Sequence, residues 1–229
     1  MSARAPRRPS TSLRTTLSSP KGRPARQPAR AAQPGKRDAI LDAATQVFAE
    51  RGFFGAQVAD VARRAGVAAG TVYLYFKNKD DLLISLFNRT MREAIDEGRD
   101  LLTTVSDPVA RLQRFAELHL SRLGRDRALA VVFQVELRQS TKFMAEFSTT
   151  RLREYLGLIR DTIALGQARG DFRTDVSPTL CAKLLFGALD EMATNWILTD
   201  RGYALESDAA RVVDLFVHGV QRASGSRQS

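Results

Sequence analysis

From Lys36 onward, apolar residues return every three or four positions, and this rhythm predicts helices almost without interruption. Ile40, Ala44, Val47 and Phe48 fall at i, i+4, i+7 and i+8, one stripe on a helix over 36–51, and Gly52 suits its C-terminal stop. Val58, Val61, Ala62 and Ala65 make a shorter apolar face, Gly66 supplies a turn tolerant of positive φ, and Val67 and Val72 return to a core. Two short helices joined this tightly form a helix-turn-helix, and the small Ala62 and Ala65 let the second approach the first closely. Longer helices are expected near 79–104, 108–123, 126–139, 149–169, 178–199 and 207–222. Pro108 and Pro178 each follow a capping residue, Asp107 and Ser177, where a missing backbone donor costs nothing. Val131, Val132 and Val135 would also suit a buried strand, but no partner strand is visible and helix is preferred. The fold class is therefore all-α: a three-helix head at the N-terminus followed by a larger helical bundle.

Charge adds to this picture once it is located. Residues 1–37 hold ten Lys and Arg and no acid, which accounts for the whole formal charge of +10, while the remainder is balanced at 25 basic and 25 acidic side chains. Six of the eight prolines lie in residues 1–34 among Arg, Ser, Thr and Ala, so this segment lacks the apolar surface to order itself and reads as a disordered basic tail. Within it, Pro20-Lys21-Gly22-Arg23-Pro24 is similar to the core of an AT-hook, with a plain solvated tail as the alternative. An organelle transit peptide ranks last, because the prolines interrupt the amphipathic helix it needs. The segments expected are a tail over 1–34, a head over 35–80, a ligand-binding and dimerisation domain over 81–223 and a disordered C-terminus over 224–229.

Cys181 is the only cysteine, which excludes an intramolecular disulfide and a cysteine-bound zinc and suits a reducing cytoplasm. No apolar run approaches the ~20 residues that cross a bilayer, so a soluble protein is expected. His119 and His218 are the only histidines, a hundred residues apart and in no metal or triad motif. No catalytic constellation is visible, and neither an enzyme, a metal site nor a bound cofactor is expected.

The segment Ala69-Gly70-Thr71-Val72-Tyr73-Leu74-Tyr75-Phe76 presents hydroxyls on Thr71, Tyr73 and Tyr75, with Lys77 and Lys79 following, a set suited to phosphates and a major groove. Together with Gly52-Phe53, Val58-Ala59-Asp60-Val61-Ala62, Ala65-Gly66-Val67 and Lys79-Asp80-Asp81-Leu82-Leu83, it resembles the signature of the TetR family. The resemblance implies a dimer on a palindromic operator, with Lys36, Arg37, Tyr75 and Lys79 on phosphates and Gly70, Thr71 and Tyr73 in the groove. Gln57 stands where that family has a Ser or Thr cap, and Ala68-Ala69 replace polar residues before Gly70, leaving methyl contacts there. Asn78, Asp80 and Asp81 are explained as a helix cap, Phe76 as core, and Lys79 as cap and phosphate contact together.

Apolar residues lie on more than one side of helices 178–199 and 207–222, as in helices that face both a core and a second copy. A four-helix dimer interface through Leu184, Ala188, Asp190, Glu191, Asn195, Val213, Phe216 and Val217 follows, with a monomer having central helices as the alternative. For Asp190 and Glu191 a partly wet interface seam is preferred to a ligand grip. Val135-Glu136-Leu137-Arg138-Gln139-Ser140 and Phe186-Gly187-Ala188-Leu189-Asp190-Glu191 with Thr194 and Trp196 are similar to the acyl-CoA-responsive fatty-acid-degradation repressors of the same family, the FadR type of bacilli. That resemblance implies an acyl-CoA effector and control of fatty-acid degradation genes. An acyl chain needs an apolar tunnel, for which Phe133, Leu137, Phe186 and Trp196 are candidates, and CoA phosphates need cations at its mouth, for which Arg138, Gln139, Lys142 and Arg151 are candidates. Each is equally explicable as ordinary core or as a surface ion pair.

The expected mechanism is that of a ligand-responsive repressor. Two heads sit about one helical turn apart, ~34 to 36 Å, and ligand moves helix 79–104 like a lever, favouring a spacing that misses the grooves. The rivals are the same fold answering an aromatic acyl-CoA or a drug and controlling other genes such as efflux, an enzyme, and a DNA coater acting through the tail.

Overall fold

In the computed structural model, which describes residues 35–139, 150–199 and 202–221 together with Met1 and Ala145, the stripe from Ile40 to Phe48 is buried on α1 (Lys36–Gly55). Apart from Met1, the tail over 1–34 with its hook-like segment, and the C-terminus over 224–229, lie outside the described residues. α1 runs past its expected stop: Gly52 takes φ 70° and ψ 156°, and a further turn follows it. Only glycine occupies that conformation without strain. The turn leaves carbonyls without helical partners, and the Lys79 ammonium takes up three of them, donating to Phe53 O at 2.6 Å, Phe54 O at 3.2 Å and Ala56 O at 2.9 Å. The same ammonium sits 4.7 Å from the centre of the Phe53 ring.

α2 (Val58–Arg64) and α3 (Ala69–Tyr75) are joined through Gly66 at φ 67°, as the turn chemistry requires. Gln57 is offset as a weak cap by Asp60, whose buried carboxyl group accepts the Gln57 amide at 3.3 Å and pairs with Arg51 and Arg63. α4 (Lys79–Thr103) starts at a reciprocal cap: Asn78 Oδ1 accepts from Asp81 N, and Asp81 Oδ2 accepts from Lys77 N, both at 2.8 Å. α5 (Pro108–Arg125) and α8 (Pro178–Leu198) begin at the two prolines, capped by Asp107 and Ser177 as expected.

The helix expected over 126–139 is shorter. α6 (Arg127–Gln134) ends at Val135, whose φ of −113° leaves the helix, and a 3₁₀ turn over Glu136–Gln139 replaces the rest. α7 (Arg151–Arg169) ends at Gly170 in the left-handed region, and a 3₁₀ turn over Leu205–Asp208 leads into α9 (Ala209–Val220). Among the described residues the extended pairing is a single bridge, Phe172 to Gln221.

From Gly35 on, the described residues belong to one compact unit, so the head and the bundle share a core instead of meeting across a linker. Phe48 and Val61 of the head continue into Leu82, Leu83 and Leu86 of α4 and on to Phe115, Ile159, Leu185 and Leu189. α1 packs on both α4 and α6, and α4 packs on α7. Replacing Lys79 by Met keeps the apolar stem and deletes three hydrogen bonds, so the Lys79→Met chain should lose about 1–3 kcal/mol. In scanning calorimetry this is a fall of several degrees in Tm; an unaltered Tm would refute the capping role.

Candidate functional site

α3 carries its apolar Val72 inward and leaves Ala69, Gly70, Tyr73, Leu74 and Tyr75 at the surface, with Thr71 half-buried. Tyr73 is 56% and Leu74 82% exposed, a large unpaired surface on so short a helix. A Cβ added at Gly70 would meet nothing within 4 Å, so packing inside the protein does not demand glycine there, and the bare backbone leaves room for close approach from outside. Lys36 and Arg37 are exposed at the start of α1, where the Arg37 guanidinium lies 5.2 Å from the centre of the Phe76 ring. This brings the start of α1 beside the end of α3, so Lys36, Arg37, Thr71, Tyr73 and Tyr75 belong to one head surface. Lys79 is a correction: its three donors are spent on α1 carbonyls, and it acts as a cap instead of standing free for a phosphate.

A second site lies inside the bundle, a cavity of about 50 Å³ between α4, α5, α6, α7 and α8. Met91, Ala94, Leu123, Leu129, Leu152 and Phe186 give it apolar walls, while Thr90, His119, Arg122, Gln134, Arg138, Tyr155 and Asp190 bring polar groups to it. Asp190 organises one side, accepting Gln134 Nε2 at 2.9 Å and pairing with Arg138. Thr194 donates to Gln134 Oε1 at 3.2 Å, which extends the network along α8. On the other side His119 Nδ1 is 3.0 Å from the Tyr155 hydroxyl, inside an aromatic cluster with Phe115 and Phe186. Burial pushes the His119 imidazole down to about 4, only partly opposed by the Asp190 charge, and burial pushes the Tyr155 phenol up.

Of the expected ligand residues, Phe133, Arg138 and Phe186 line this cavity. Leu137 is buried in the core, Gln139 is exposed, and Arg151 pairs with Glu154 at the start of α7. Trp196 sits at the far end of α8, its indole donating to Tyr203 O at 3.0 Å under the Arg127 guanidinium. None of these four lines the cavity, and Lys142 lies outside the described residues. His119, Tyr155 and Gln134 are not among the expected ligand residues, and for Asp190 the ligand grip was the less favoured reading; their signal is a polar side chain set on the buried face of an amphipathic helix.

The cavity wall is also tied to the head. Glu136, 5% exposed, accepts the Phe53 backbone N–H at 2.6 Å, across 83 residues of sequence. Phe133, Gln134 and Arg138 of the same short segment face the cavity, so one stretch of chain touches both sites. α4 forms another link, contributing Thr90, Met91 and Ala94 to the cavity and holding α1 through Arg89, which pairs with Asp42 at 2.6 Å.

On α8, Leu180, Leu184, Ala188, Glu191, Asn195 and Leu198 share one exposed face, and Leu215 of α9 is 76% exposed. Phe216 is half-buried. Asp190, Val213 and Val217 are corrections to the expected interface: Asp190 turns inward to Gln134 and Arg138, and the two valines are buried in the protomer's own core.

Residues 40–86 match the family of bacterial regulatory proteins of the tetR type, and residues 87–219 match the C-terminal region of YsiA-like proteins. The chain is 36% identical over 181 residues to the fatty acid metabolism regulator protein of Bacillus subtilis (strain 168), covering 79% of this chain and 93% of that protein. Among solved structures, the fatty acid degradation regulator FadR of Bacillus halodurans superposes with a TM-score of 0.76 at 38% identity. FadR of Bacillus subtilis in complex with stearoyl-CoA superposes with a TM-score of 0.76 at 35% identity, and in both cases 80% of this chain and 99% of the other are covered.

The unfolded His119 takes up a proton near 6.5 and the folded one only near 4, so between these values the unfolded state binds more protons and stability is lost as the pH is lowered. The loss attached to this one group is on the order of 3 kcal/mol, complete below the lower value. Urea unfolding at pH 7 and pH 4.5 should therefore show a smaller acid loss for His119→Phe than for the unaltered chain. Parallel losses in the two proteins would contradict the buried neutral imidazole.

Proposed function

Because the chain belongs to the tetR family of bacterial regulatory proteins, with a YsiA-like C-terminal region, we propose that it is a dimeric repressor released from its operator by a long-chain acyl-CoA. The genes it controls are then those of fatty-acid degradation, its place is the cytoplasm, and it carries no catalytic activity or cofactor. The observation that supports this reading best is the cavity bounded by Phe133, Arg138 and Phe186, in a chain so similar to a regulator solved with stearoyl-CoA.

The dimer forms through the exposed face of α8 with Leu180, Leu184, Ala188 and Leu198, joined by Leu215 and Phe216 of α9. Glu191 and Asn195 lie on the same face, where the Asn195 amide donates to Glu191. Two copies related by a two-fold axis set their α3 helices about 34–36 Å apart, the spacing of successive major grooves. Tyr73, Thr71 and Leu74 meet the bases, and Lys36, Arg37 and Tyr75 meet phosphates.

Release follows from volume. Sites for ligands of this size are roughly 300–1,000 Å³, whereas the cavity here is about 50 Å³. An acyl chain enters only as the walls part, so the ligand binds the widened form far better than the closed one and draws the population to it. Widening moves α4, and it moves the 133–138 segment whose Glu136 holds Phe53. The head shifts with both, and the groove spacing is lost.

Fluorescence anisotropy on a labelled operator should show stearoyl-CoA weakening binding by roughly 5–150-fold, the usual range of such coupling. Unchanged operator affinity at saturating stearoyl-CoA would remove the acyl-CoA reading while leaving the regulator. In Glu136→Ala, calorimetry should show stearoyl-CoA binding retained while its effect on operator affinity shrinks several-fold; an undiminished effect would exclude Glu136 as the link.

A further inference from the structure

His119 Nε2 is buried and finds no hydrogen-bond partner among the described residues. Such an atom is costly, because a buried polar group without a partner forfeits its hydration for nothing. Its ring is held on every other side. Phe115 stacks on it at an interplanar angle of 10°, the Phe186 ring meets it edge-on, and Nδ1 is engaged by Tyr155. With the Tyr155 hydroxyl, 3.0 Å away, donating to Nδ1, the neutral imidazole carries its proton on Nε2. His119 is a wall residue of the cavity, so in that tautomer an unpaired donor belongs to its lining.

The charges around it narrow the kind of acceptor. Arg122 pairs with Glu93 and Glu97, and Arg138 pairs with Asp190, so both cations at the cavity are already neutralised. Arg122 faces two carboxylates, so the fixed charges of these pairs sum to a net negative, which disfavours a further anion. A neutral carbonyl oxygen suits Nε2–H, and a carboxylate does not.

Resting on the acyl-CoA reading above, we infer that His119 Nε2–H donates a hydrogen bond to the thioester carbonyl oxygen of the effector, and that this contact selects an acyl thioester over a free fatty acid. Tyr155 is then the positioning residue, fixing which ring nitrogen carries the proton. Depressed basicity of the buried imidazole keeps it a neutral donor at physiological pH.

The test removes the acceptor and the donor in turn. Calorimetric titrations of the full chain would compare stearoyl-CoA with S-octadecyl-CoA, the thioether that keeps the chain and the nucleotide but has no carbonyl oxygen. The unaltered protein should bind the thioester roughly tenfold more tightly and stearate much more weakly. His119→Phe should bind the two CoA compounds alike, and His119→Gln, which restores an N–H donor, should recover part of the preference. Unaltered operator affinity without ligand certifies that the variants are folded, and the two-ligand comparison on the unaltered chain stands without any variant. Equal binding of thioester and thioether by the unaltered protein, or an equal preference in His119→Phe, would overturn this inference alone. Failure of the unaltered protein to bind either CoA compound would overturn the acyl-CoA reading with it.

Discussion

A backbone amide decides how the two halves of this chain are joined. Gly52 turns α1 to positive φ, which takes Phe53 N–H out of the helical ladder, and the amide is satisfied by the carboxyl group of Glu136 at 2.6 Å. The carbonyls released by the same turn go to Lys79 at the start of α4. The positive-φ turn at the base of the head is thus held by one residue from the bundle and one from the helix that joins them. Burying those groups unpaired would be expensive, so the position of the head is tied to the position of the 3₁₀ turn that carries Glu136.

That turn is also a cavity wall. α6 ends at Val135 and a 3₁₀ turn follows, with Gln134 and Arg138 converging on Asp190 while Glu136 reaches Phe53 on the other side. These opposed contacts within five residues make the segment a junction. The cavity, at about 50 Å³, is far smaller than the roughly 300–1,000 Å³ of a drug-sized site, and a ligand that widened it would move a segment attached to the head.

The helical architecture was largely legible because each boundary has a local chemical cause. Proline after Asp107 and Ser177, the Asn78–Asp81 cap and the glycines at 52 and 66 act within a few residues, and the helices begin or turn there. The exposed face of α3 was legible for the same reason, as inward Val72 fixes which side remains. Contacts across the fold were not. Lys79, with its position beside the recognition helix, looked suited to phosphate, and only the third dimension shows its donors consumed. Asp190 interrupts an apolar helix in a way that suits an interface as well as an internal network, and which face it occupies depends on Gln134 and Arg138, more than fifty residues away. Val213 and Val217 share a helix with exposed Leu215, and periodicity alone does not say which stripe is inside. His119 has no neighbour in sequence that marks it, since its partner Tyr155 comes from another helix.

The link between cavity and head is most directly read at the Phe53 amide itself. Hydrogen exchange of that N–H in the full chain, followed with and without saturating stearoyl-CoA, reports whether Glu136 still holds it. Slow exchange in the free protein and markedly faster exchange in the complex are expected. Equal protection in both states, with the ligand demonstrably bound, would contradict transmission through this contact.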